Sequence, residues 1–394
     1  MDVFNAADFL VHRHVRQDAG EKTALSGAVG RTYRELSEDV ATAAAGLRRI
    51  GLRRDDRVVM VMADGVEMAT GILAAFHGGF VAVPTSTMLL EGELATIIAD
   101  AGARAVIVTP EFVGTVARAL DTCPEATHLI IAGSFDGAAV RAAVRDDLVI
   151  VPWQELSGPA EEPVPTEADA WALWLYTSGT TGKPKAAIHR HVNIRHVYET
   201  YGRQTLGIQS DDRCLSVAKM FFAYGIGNSL FFPLAAGATA VLSPEPPTPD
   251  SIAALLLAHA PTLFFGVPTF YAGLLASQAS DDTFETVRLC VSAGEALPEA
   301  VQSGFTKRFG VNVLDGIGST EALHIFLSNS PDAIRPGTTG KPVPGYRIEL
   351  RDGGGQLVKP GSPGDLYVSG DSIALGYWRR ADASRKVFQG EWLR

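Results

Sequence analysis

The 394-residue chain has few of the features that mark disulfide-rich, zinc-binding or membrane-spanning proteins. Its three cysteines, Cys123, Cys214 and Cys290, lie far apart and form no CxxC pair, which argues against a disulfide framework and a structural zinc site. The most apolar run is interrupted by Pro233 and Gly237, so no stretch reaches the roughly 18 apolar residues that a membrane span needs. The first residues include an acid and do not have the basic and then apolar pattern of a secretory signal. These absences predict a cytoplasmic protein with no membrane partner.

An excess of positive charge is also missing. The chain has 34 Lys and Arg residues against 44 Asp and Glu residues, which gives a net charge of -10. Because neutralisation of phosphates by Lys and Arg supplies most non-specific affinity for nucleic acid, nucleic acid is not an expected partner. The 46% of hydrophobic residues is enough for a large buried core and excludes a disordered chain.

The order of apolar segments predicts an α/β fold. Up to about residue 160, short β-branched runs such as 58–62 and 80–83 alternate with helix-compatible stretches such as 66–77. This alternation is typical of a mostly parallel sheet covered by helices. After residue 335, alternating strands are separated by Gly/Pro-rich turns, which is typical of a small antiparallel sheet or barrel. The predicted architecture is two stacked, mostly parallel α/β sub-regions, about 1–165 and 166–335, followed by a small antiparallel β-barrel-like sub-region, 336–394.

The segment 176–185 has the composition of a phosphate-binding loop. It reads YTSGTTGKPK and follows an apolar strand candidate. Glycines let backbone N–H groups approach a ligand, hydroxyls donate to phosphate oxygens, and lysines neutralise them. The spacing differs from a Walker A loop, because Gly179 and Gly182 are three apart and Pro184 disfavours a helix directly after the loop. On this chemistry alone, a flexible surface loop is the alternative interpretation.

The same segment matches the signature of the adenylate-forming superfamily, which includes acyl- and aryl-CoA synthetases, adenylation domains of non-ribosomal peptide synthetases and beetle luciferases. Segments that resemble later family motifs follow in the expected order: SAGEAL at 292–297, DGIGSTE at 315–321, GDLYV at 364–368 and GYW at 376–378. The resemblance covers essentially the whole chain. It implies that residues 1–394 are the AMP-binding N-terminal domain of such an enzyme, with ATP and Mg²⁺ as cofactors and CoA as co-substrate.

The resemblance also implies a set of site residues. Those expected to bind ATP are Thr177, Ser178, Gly179, Thr180, Thr181, Gly182, Lys185, Gly294, Glu295, Ala296, Asp315, Gly316, Ile317 and Thr320. Lys185, Thr320 and Glu321 form the expected catalytic set, in which Thr320 meets the α-phosphate and Glu321 binds Mg²⁺. A carboxylate beside a phosphate cradle would be repelled without a divalent cation, and Mg²⁺ is usually held by one or two protein carboxylates plus phosphate oxygens. A plain surface acid is the alternative for Glu321. Ile317 stands where many relatives place an aromatic residue, so we expect an aliphatic contact to adenine.

Three segments resemble benzoate-CoA ligases and related aryl-CoA ligases in particular: FFAYGIGN at 221–228, the stretch 315–329, and GTTGKPVPGY at 337–346. The resemblance implies an acyl pocket lined by Ala223, Tyr224, Gly318, His324 and Ile325. Such a set suits a flat aromatic ring, with Gly318 leaving room for its face. His324 in the pocket could bond a ring hydroxyl or amino group, whereas a satisfied core histidine is the alternative.

The implied reaction is activation of an aryl carboxylate, namely benzoate or a hydroxy-, amino- or halobenzoate, to an acyl-adenylate, followed by transfer to CoA. Two alternatives stay open: an aryl-acid adenylating enzyme that loads a carrier protein, and a non-catalytic module that binds a nucleotide or aryl acid. The chain stops at residues 390–394, GEWLR, where the family pattern continues with a ribose-binding aspartate, a hinge and a C-terminal lid domain that supplies a lysine. We therefore expect this polypeptide to bind ATP and aryl acid but to ligate poorly or not at all.

Overall fold

The computed structural model describes residues 3–178 and 183–394, which divide into two compact units. The first unit comprises Met1–Val192 with Leu242–Glu245, and the second comprises Asn193–Val241 with Pro246–Arg394. No helix of the described part of the chain is long and apolar enough to cross a membrane.

The first unit contains nine strands and six helices among its described residues. The strands are β1 (Thr23–Ser26), β2 (Arg31–Thr32), β3 (Arg57–Val61), β4 (Val81–Pro84), β5 (Ala105–Val108), β6 (His128–Ile131), β7 (Val149–Pro152), β8 (Trp171–Ser178) and β9 (Pro184–Arg190). The helices are α1 (Arg13–Arg16), which continues a π-helical segment at Asp8–His12, α2 (Tyr33–Arg49), α3 (Val66–Gly78), α4 (Glu91–Ala101), α5 (Val113–Leu120) and α6 (Gly137–Ala143), with short 3₁₀ turns at Pro110–Phe112 and Trp153–Glu155. The next helix, α7 (His191–Val197), crosses the boundary between the units.

The main sheet of the first unit is mostly parallel. Its strand order is β7-β6-β5-β3-β4-β8-β9, and only the β8–β9 pair is antiparallel. The β-branched residues of β3 and β5 are almost all buried, as expected for strands covered by helices on both faces. Helix α3 is buried on every side, which explains why its sequence is apolar without an exposed polar stripe. The strand predicted at 171–176 lies in this sheet, since β8 pairs with β4, although the sequence places it in the second sub-region.

A buried chain of hydrogen bonds joins α2, α3 and the segment that precedes β8. His12 Nδ1 lies 2.7 Å from Ser37 Oγ, His12 Nε2 lies 2.9 Å from His77 Nδ1, and His77 Nε2 lies 3.1 Å from the Glu161 carbonyl oxygen. The carbonyl can only accept, so His77 Nε2 carries a proton and His77 Nδ1 accepts from His12. His12 Nδ1 then accepts from Ser37. Both histidines are neutral in this arrangement, and burial lowers the pKa of each to about 4.

The second unit contains the remaining strands and helices. The strands are β10 (Arg213–Ser216), β11 (Thr239–Val241), β12 (Leu263–Gly266), β13 (Leu289–Ser292), β14 (Val313–Gly318), β15 (Ile325–Ser328), β16 (Lys341–Pro342), β17 (Arg347–Arg351), β18 (Asp365–Ser369), β19 (Phe388–Gln389) and β20 (Trp392–Leu393). The helices are α8 (Ala223–Ile226), α9 (Phe232–Ala236), α10 (Pro249–His259), α11 (Pro268–Ala276), α12 (Glu299–Phe309) and α13 (Ala381–Val387), with π-helical segments at Tyr198–Thr205 and Gly227–Phe231.

The larger sheet of this unit places its strands in the order β16-β15-β14-β13-β12-β10-β11. The pairs from β11 to β14 are parallel, and β15 and β16 join antiparallel. An aromatic cluster packs on this sheet, in which Phe264, Tyr271, Phe284 and Phe305 meet edge to face with ring centroids 4.8 to 5.8 Å apart. Helix α10 begins at Pro249, where the Thr248 side chain caps it by accepting a hydrogen bond from the backbone N–H of Ser251.

The strands after residue 345 form a separate antiparallel sheet in the order β17-β18-β20-β19. Its strand order is linear, so it is an open sheet and not a closed barrel. The predicted fold class, mostly parallel α/β sub-regions with a small antiparallel sheet, is confirmed. The sub-region boundaries predicted at 165 and 335 stay a prediction.

Candidate nucleotide and acyl site

Three residues form a row across the neighbouring parallel strands β12, β13 and β14, towards the carboxyl ends of the strands. One of them, Asp315, is a predicted ATP-binding residue. Gly266 pairs with Ser292, and Ser292 pairs with Asp315. In open α/β sheets, ligands bind at this edge of the strands. Ser292 Oγ and Asp315 Oδ1 are buried and have no hydrogen-bond partner among the described residues. Because buried polar atoms are normally paired, the two atoms mark a position where a polar ligand would satisfy them.

Asp315 has an unusual electrostatic environment for a carboxyl group. It is 4% exposed, and burial raises its pKa to about 6, although backbone groups of Gly316 and Leu297 act in the opposite direction. The backbone of Asp315 is fixed, since its carbonyl oxygen accepts from the backbone and side-chain N–H groups of Asn329 at 3.0 and 3.2 Å. The backbone that carries the Asp315 carboxyl group is therefore fixed, while its Oδ1 atom has no hydrogen-bond partner among the described residues.

The loop after β13 carries the predicted adenine-side residues Gly294, Glu295 and Ala296, and all three are exposed. Gly294 has φ +96°, a conformation that favours glycine. Ile317, predicted to replace an aromatic residue against adenine, is 37% exposed and pairs with Leu327 of β15. The aliphatic side chain of Ile317 is therefore partly exposed, on the same sheet as the strand that leads into this loop.

Tyr224 bridges the ends of β12 and β13. Its hydroxyl lies 3.2 Å from the Gly266 carbonyl oxygen and 3.1 Å from the Val291 carbonyl oxygen, so its one proton is committed to backbone acceptors. Burial raises the pKa of Tyr224 well above its ordinary value, which keeps it a neutral donor. A ligand at this position would therefore meet the ring of Tyr224 and not a free hydroxyl. Ala223, which precedes it, begins α8 and is half-buried.

His324 lies at the centre of an aromatic cage. Its ring centroid is 5.5 Å from that of Tyr224, 5.4 Å from that of Tyr201 and 4.5 Å from that of Phe232. The side chain is buried, and neither ring nitrogen has a hydrogen-bond partner of acceptable geometry among the described residues. Burial lowers the pKa of His324 to about 3, against a small opposite effect of the Tyr224 backbone, so the imidazole is neutral. Both interpretations of His324, a pocket residue and a core histidine, stay predictions.

Gly318 and Ile325 face each other across β14 and β15. A Cβ atom on Gly318 would lie 2.5 Å from the His324 carbonyl oxygen and 2.9 Å from Ile325 Cα. Gly318 was expected to leave room for the face of a ring, but the structure adds a second constraint. The atoms nearest to an added Cβ belong to the backbone of β15 and of the residue before it, so even a methyl group would force the two strands apart. Tyr224, Gly318, His324 and Ile325 are brought together, while Ala223 joins them through its chain neighbour.

Thr320 and Glu321 lie in the turn between β14 and β15. The Glu321 carboxylate accepts a hydrogen bond from the Tyr377 hydroxyl through Oε1 at 2.5 Å. A carboxylate that is bonded through one oxygen keeps a second oxygen that fits Mg²⁺, which completes its shell with water and phosphate oxygens. Among the described residues, no group of three His, Cys, Asp or Glu side chains offers an all-protein metal site.

The predicted phosphate loop joins β8 to β9, two antiparallel strands. Thr177 pairs with Lys185, so their side chains project from the same face of the sheet. The loop is followed by a strand and not by a helix, in agreement with the expectation drawn from Pro184. The predictions for Gly179, Thr180, Thr181 and Gly182, and for the side chain of Ser178, lie outside the described residues.

Several residues of this site were not predicted from the sequence. Tyr201 and Phe232 enclose His324, and Tyr377 contacts Glu321. Asn228 is fully buried, one turn after Tyr224, and neither amide atom has a hydrogen-bond partner of acceptable geometry among the described residues. The local sequence carries little signal for Tyr201 and Phe232, since both lie in helical stretches without a recognised motif, but Asn228 and Tyr377 belong to the segments FFAYGIGN and GYW and could have been singled out.

The fold and the site define a class of protein. Residues 11–378 match the family described as AMP-binding enzyme, so the chain belongs to the AMP-binding enzyme family, and the predicted adenylate-forming membership is confirmed. A benzoate–CoA ligase from Thauera aromatica is 42% identical over 99% of this chain and 73% of its own length. A 4-hydroxybenzoate–CoA/benzoate–CoA ligase from Rhodopseudomonas palustris is 39% identical over 99% of this chain and 71% of its own length.

Solved structures agree with these relatives. Crystal structures of a benzoate CoA ligase from Burkholderia xenovorans LB400 superpose with a TM-score of 0.90 at 40% identity, covering 100% of this chain and 76% of that protein. An anthranilate CoA ligase solved in complex with anthranoyl-AMP gives a TM-score of 0.92 at 32% identity, covering 99% and 74%. The predicted resemblance to benzoate-CoA ligases is confirmed, and by family the chain is an acid–thiol ligase of the AMP-forming kind.

Proposed function

We propose that the protein activates benzoate or a hydroxy-, amino- or halobenzoate with Mg·ATP and transfers the resulting aroyl group to CoA, which gives the aryl-CoA thioester. In the first step the carboxylate attacks the α-phosphorus of ATP and pyrophosphate leaves, which gives the aryl-adenylate. In the second step the thiol of CoA attacks the carbonyl carbon and AMP leaves. The family and its named relatives support this reaction type.

The observation that carries the proposal is the row of unpartnered polar atoms beside the aromatic cage. Ser292 Oγ and Asp315 Oδ1 offer hydrogen bonds at the carboxyl end of the sheet, and Tyr224 and His324 form an apolar, aromatic wall beside it. An aryl-adenylate has a polar nucleotide part and a flat apolar ring, so it matches both parts. A fatty acid would not need an aromatic cage with a buried neutral imidazole.

The predicted catalytic residues and most of the predicted acyl-pocket residues receive roles in this proposal. Carboxylates are weak nucleophiles, so catalysis depends on positioning and on neutralising charge at the phosphates. Lys185 and Thr320 contact phosphate oxygens, and Glu321 holds Mg²⁺, which supplies positive charge to the phosphates when bound. The ring of Tyr224, together with Gly318 and Ile325, positions the aryl group. The neutral His324 offers one donor and one acceptor to a ring hydroxyl or amino substituent.

An ATP–pyrophosphate exchange assay tests the first step. The panel contains benzoate, the three hydroxybenzoates, anthranilate and a halobenzoate, with a long-chain fatty acid and an amino acid for comparison. We expect exchange with the benzoates, and a preference for the fatty acid or the amino acid would contradict the proposal. Binding of ATP or of the aryl acid without any exchange would favour a non-catalytic module.

The second step is measured separately, as thioester formation with CoA or with a phosphopantetheinyl carrier protein. Transfer to the carrier alone would favour the alternative acceptor. Weak ligation by the 394-residue chain stays a prediction, which the ratio of the thioester-formation rate to the exchange rate tests.

Glu321→Gln should lower exchange about 100-fold, because charge at the reacting phosphates is no longer neutralised correctly. Glu285→Gln, which removes an exposed carboxylate of the same unit, is the matched control.

A further inference from the structure

Residues 372–377 hold the turn that carries Glu321 through three hydrogen bonds. The Ser372 hydroxyl donates to the Ala322 carbonyl oxygen at 2.8 Å, and the Ala374 N–H donates to the Glu321 carbonyl oxygen at 2.8 Å. The Tyr377 hydroxyl donates to Glu321 Oε1 at 2.5 Å. Two bonds fix the backbone of the turn, and the third fixes the carboxylate itself.

Tyr377 is in turn held by the helix that follows it. Its backbone N–H donates to Ser384 Oγ in α13 at 2.9 Å, and its ring meets Phe388 edge to face with centroids 5.2 Å apart. The side chain is 9% exposed. Gly376 precedes it with φ +141°, a backbone conformation that few other residues adopt. The phenol therefore has one position, which is set by contacts outside the Glu321 turn.

We propose that Tyr377 is a positioning residue that presents the second carboxylate oxygen of Glu321 to the divalent cation. This inference rests on the proposed function, in which Glu321 holds the metal. A phenol that donates to one carboxylate oxygen fixes the rotamer and leaves the other oxygen available as a ligand. Hydrogen-bond partners of metal ligands act in this way, and their loss weakens metal binding even though they never touch the ion.

Packing alone does not account for the contact between Tyr377 and Glu321. A hydroxyl with a purely structural role could donate to a backbone carbonyl or to water. The Tyr377 hydroxyl instead donates to Glu321, which is the acidic residue of the turn between β14 and β15. The contact spans 56 residues of sequence, so it is specific to the folded chain. Ser384 and Phe388 fix Tyr377 independently of the hydroxyl, so removing the hydroxyl alone should leave the ring in place.

The test is Tyr377→Phe in the 394-residue chain, with Mn²⁺ as the probe. Mn²⁺ and ATP are kept equimolar and the protein is titrated, so that the electron paramagnetic resonance signal separates Mn²⁺ bound in the complex with protein from Mn²⁺ chelated by ATP in solution. Aryl acid is left out, so metal binding is measured without turnover. We expect the apparent dissociation constant for Mn²⁺ to rise about tenfold. The melting temperature without metal should stay close to that of the parent chain. Ser384→Ala, which frees the backbone N–H of Tyr377 but keeps its hydroxyl, should give a smaller rise.

Tyr271→Phe is the matched control, because it removes a buried hydroxyl that donates to the Val291 carbonyl oxygen at 2.8 Å and contacts neither Glu321 nor residues 372–377. It should affect thermal stability but not Mn²⁺ binding. Unchanged or tighter Mn²⁺ binding by Tyr377→Phe, while Glu321→Gln binds weakly, would overturn the positioning role and leave the proposed function standing. If Glu321→Gln also binds Mn²⁺ normally, the metal assignment fails, and the role of Tyr377 fails with it.

Discussion

Gly318 is a residue of the acyl pocket with almost no room for a side chain. A Cβ atom there would lie 2.5 Å from the His324 carbonyl oxygen. Because this oxygen belongs to the backbone, the backbone would have to move to relieve the clash. We expect Gly318→Ala to lower the melting temperature and to reduce exchange activity together, because β14 and β15 must separate. Overpacking of this kind typically costs about 1 to 3 kcal/mol, which thermal and urea unfolding would detect.

The control for this prediction is Gly353→Ala. Gly353 lies in the turn between β17 and β18, and a Cβ atom there would meet nothing within 4 Å. Its unfolding free energy should stay within about 0.5 kcal/mol of the parent value. If the two variants were equally stable, the close approach at Gly318 would not be a constraint on the fold.

At the same scale, motifs in the sequence predicted which residues meet, but not how. The resemblance grouped Tyr224, Gly318, His324 and Ile325, and the structure brings them together. It could not reveal that the Tyr224 proton is committed to two carbonyl groups, or that the His324 ring nitrogens have no partner among the described residues. Those properties depend on side chains that come from distant parts of the chain, which local spacing does not encode.

Among the elements, α12 has the clearest energetic role. Phe305 is fully buried, with ring centroids 4.8 Å from Tyr271, 5.0 Å from Phe284 and 4.7 Å from Phe309. Phe305→Ala removes a ring that three others contact, and should destabilise the second unit by about 3 to 5 kcal/mol. Urea unfolding followed by fluorescence measures this cost. Ser303→Ala, on the exposed side of the same helix, should change stability by less than about 0.5 kcal/mol.

Elements with a strong pattern of their own could be predicted, and those defined by their partners could not. The runs at 58–62 and 80–83 become β3 (Arg57–Val61) and β4 (Val81–Pro84), with each bound shifted by one residue, because β-branched residues cluster there. The apolar strand candidate at 171–176 becomes part of β8, but its sheet was not predicted, since pairing with β4 depends on a contact about 90 residues away in sequence. The short strands β16, β19 and β20 have two residues each and leave no periodic signal.

For the molecule as a whole, buried neutral histidines predict sensitivity to acid. Burial lowers the pKa of His12 and His77 to about 4, and that of His191 and His324 to about 3. The unfolded chain has histidine pKa values near 6.5, so it binds more protons than the folded chain between about pH 6.5 and these lower values. Stability should therefore fall as the pH drops through this window, whereas above pH 6.5 these groups contribute no further change.

Asp315 acts in the opposite direction. Its folded pKa of about 6 lies above the unfolded value near 3.9, so its contribution to stability increases as the pH falls from about 6 to 4. One carboxyl offsets only part of the effect of four histidines. The net expectation is a loss of at least about 2 kcal/mol of unfolding free energy between pH 7 and pH 5.

Urea unfolding at several pH values measures this loss. His77→Asn, whose Oδ1 can replace the Nδ1 acceptor for His12, should make the dependence on pH shallower. His259→Gln, which changes a histidine near the end of α10 that is only partly buried, should leave the dependence unchanged. Equal slopes for the two variants would argue against buried histidines as the cause.

The π-helical segment Gly227–Phe231 sets the phase of the helical region that builds the aromatic cage. A π turn holds one residue more than an α turn, and deleting that residue would rotate the following side chains by about 100°. Tyr224 precedes the segment and Phe232 follows it, yet both rings contact His324. A family member one residue shorter here would need a different residue to close the cage. The length of this segment, and not only the identity of its residues, therefore decides which rings enclose His324.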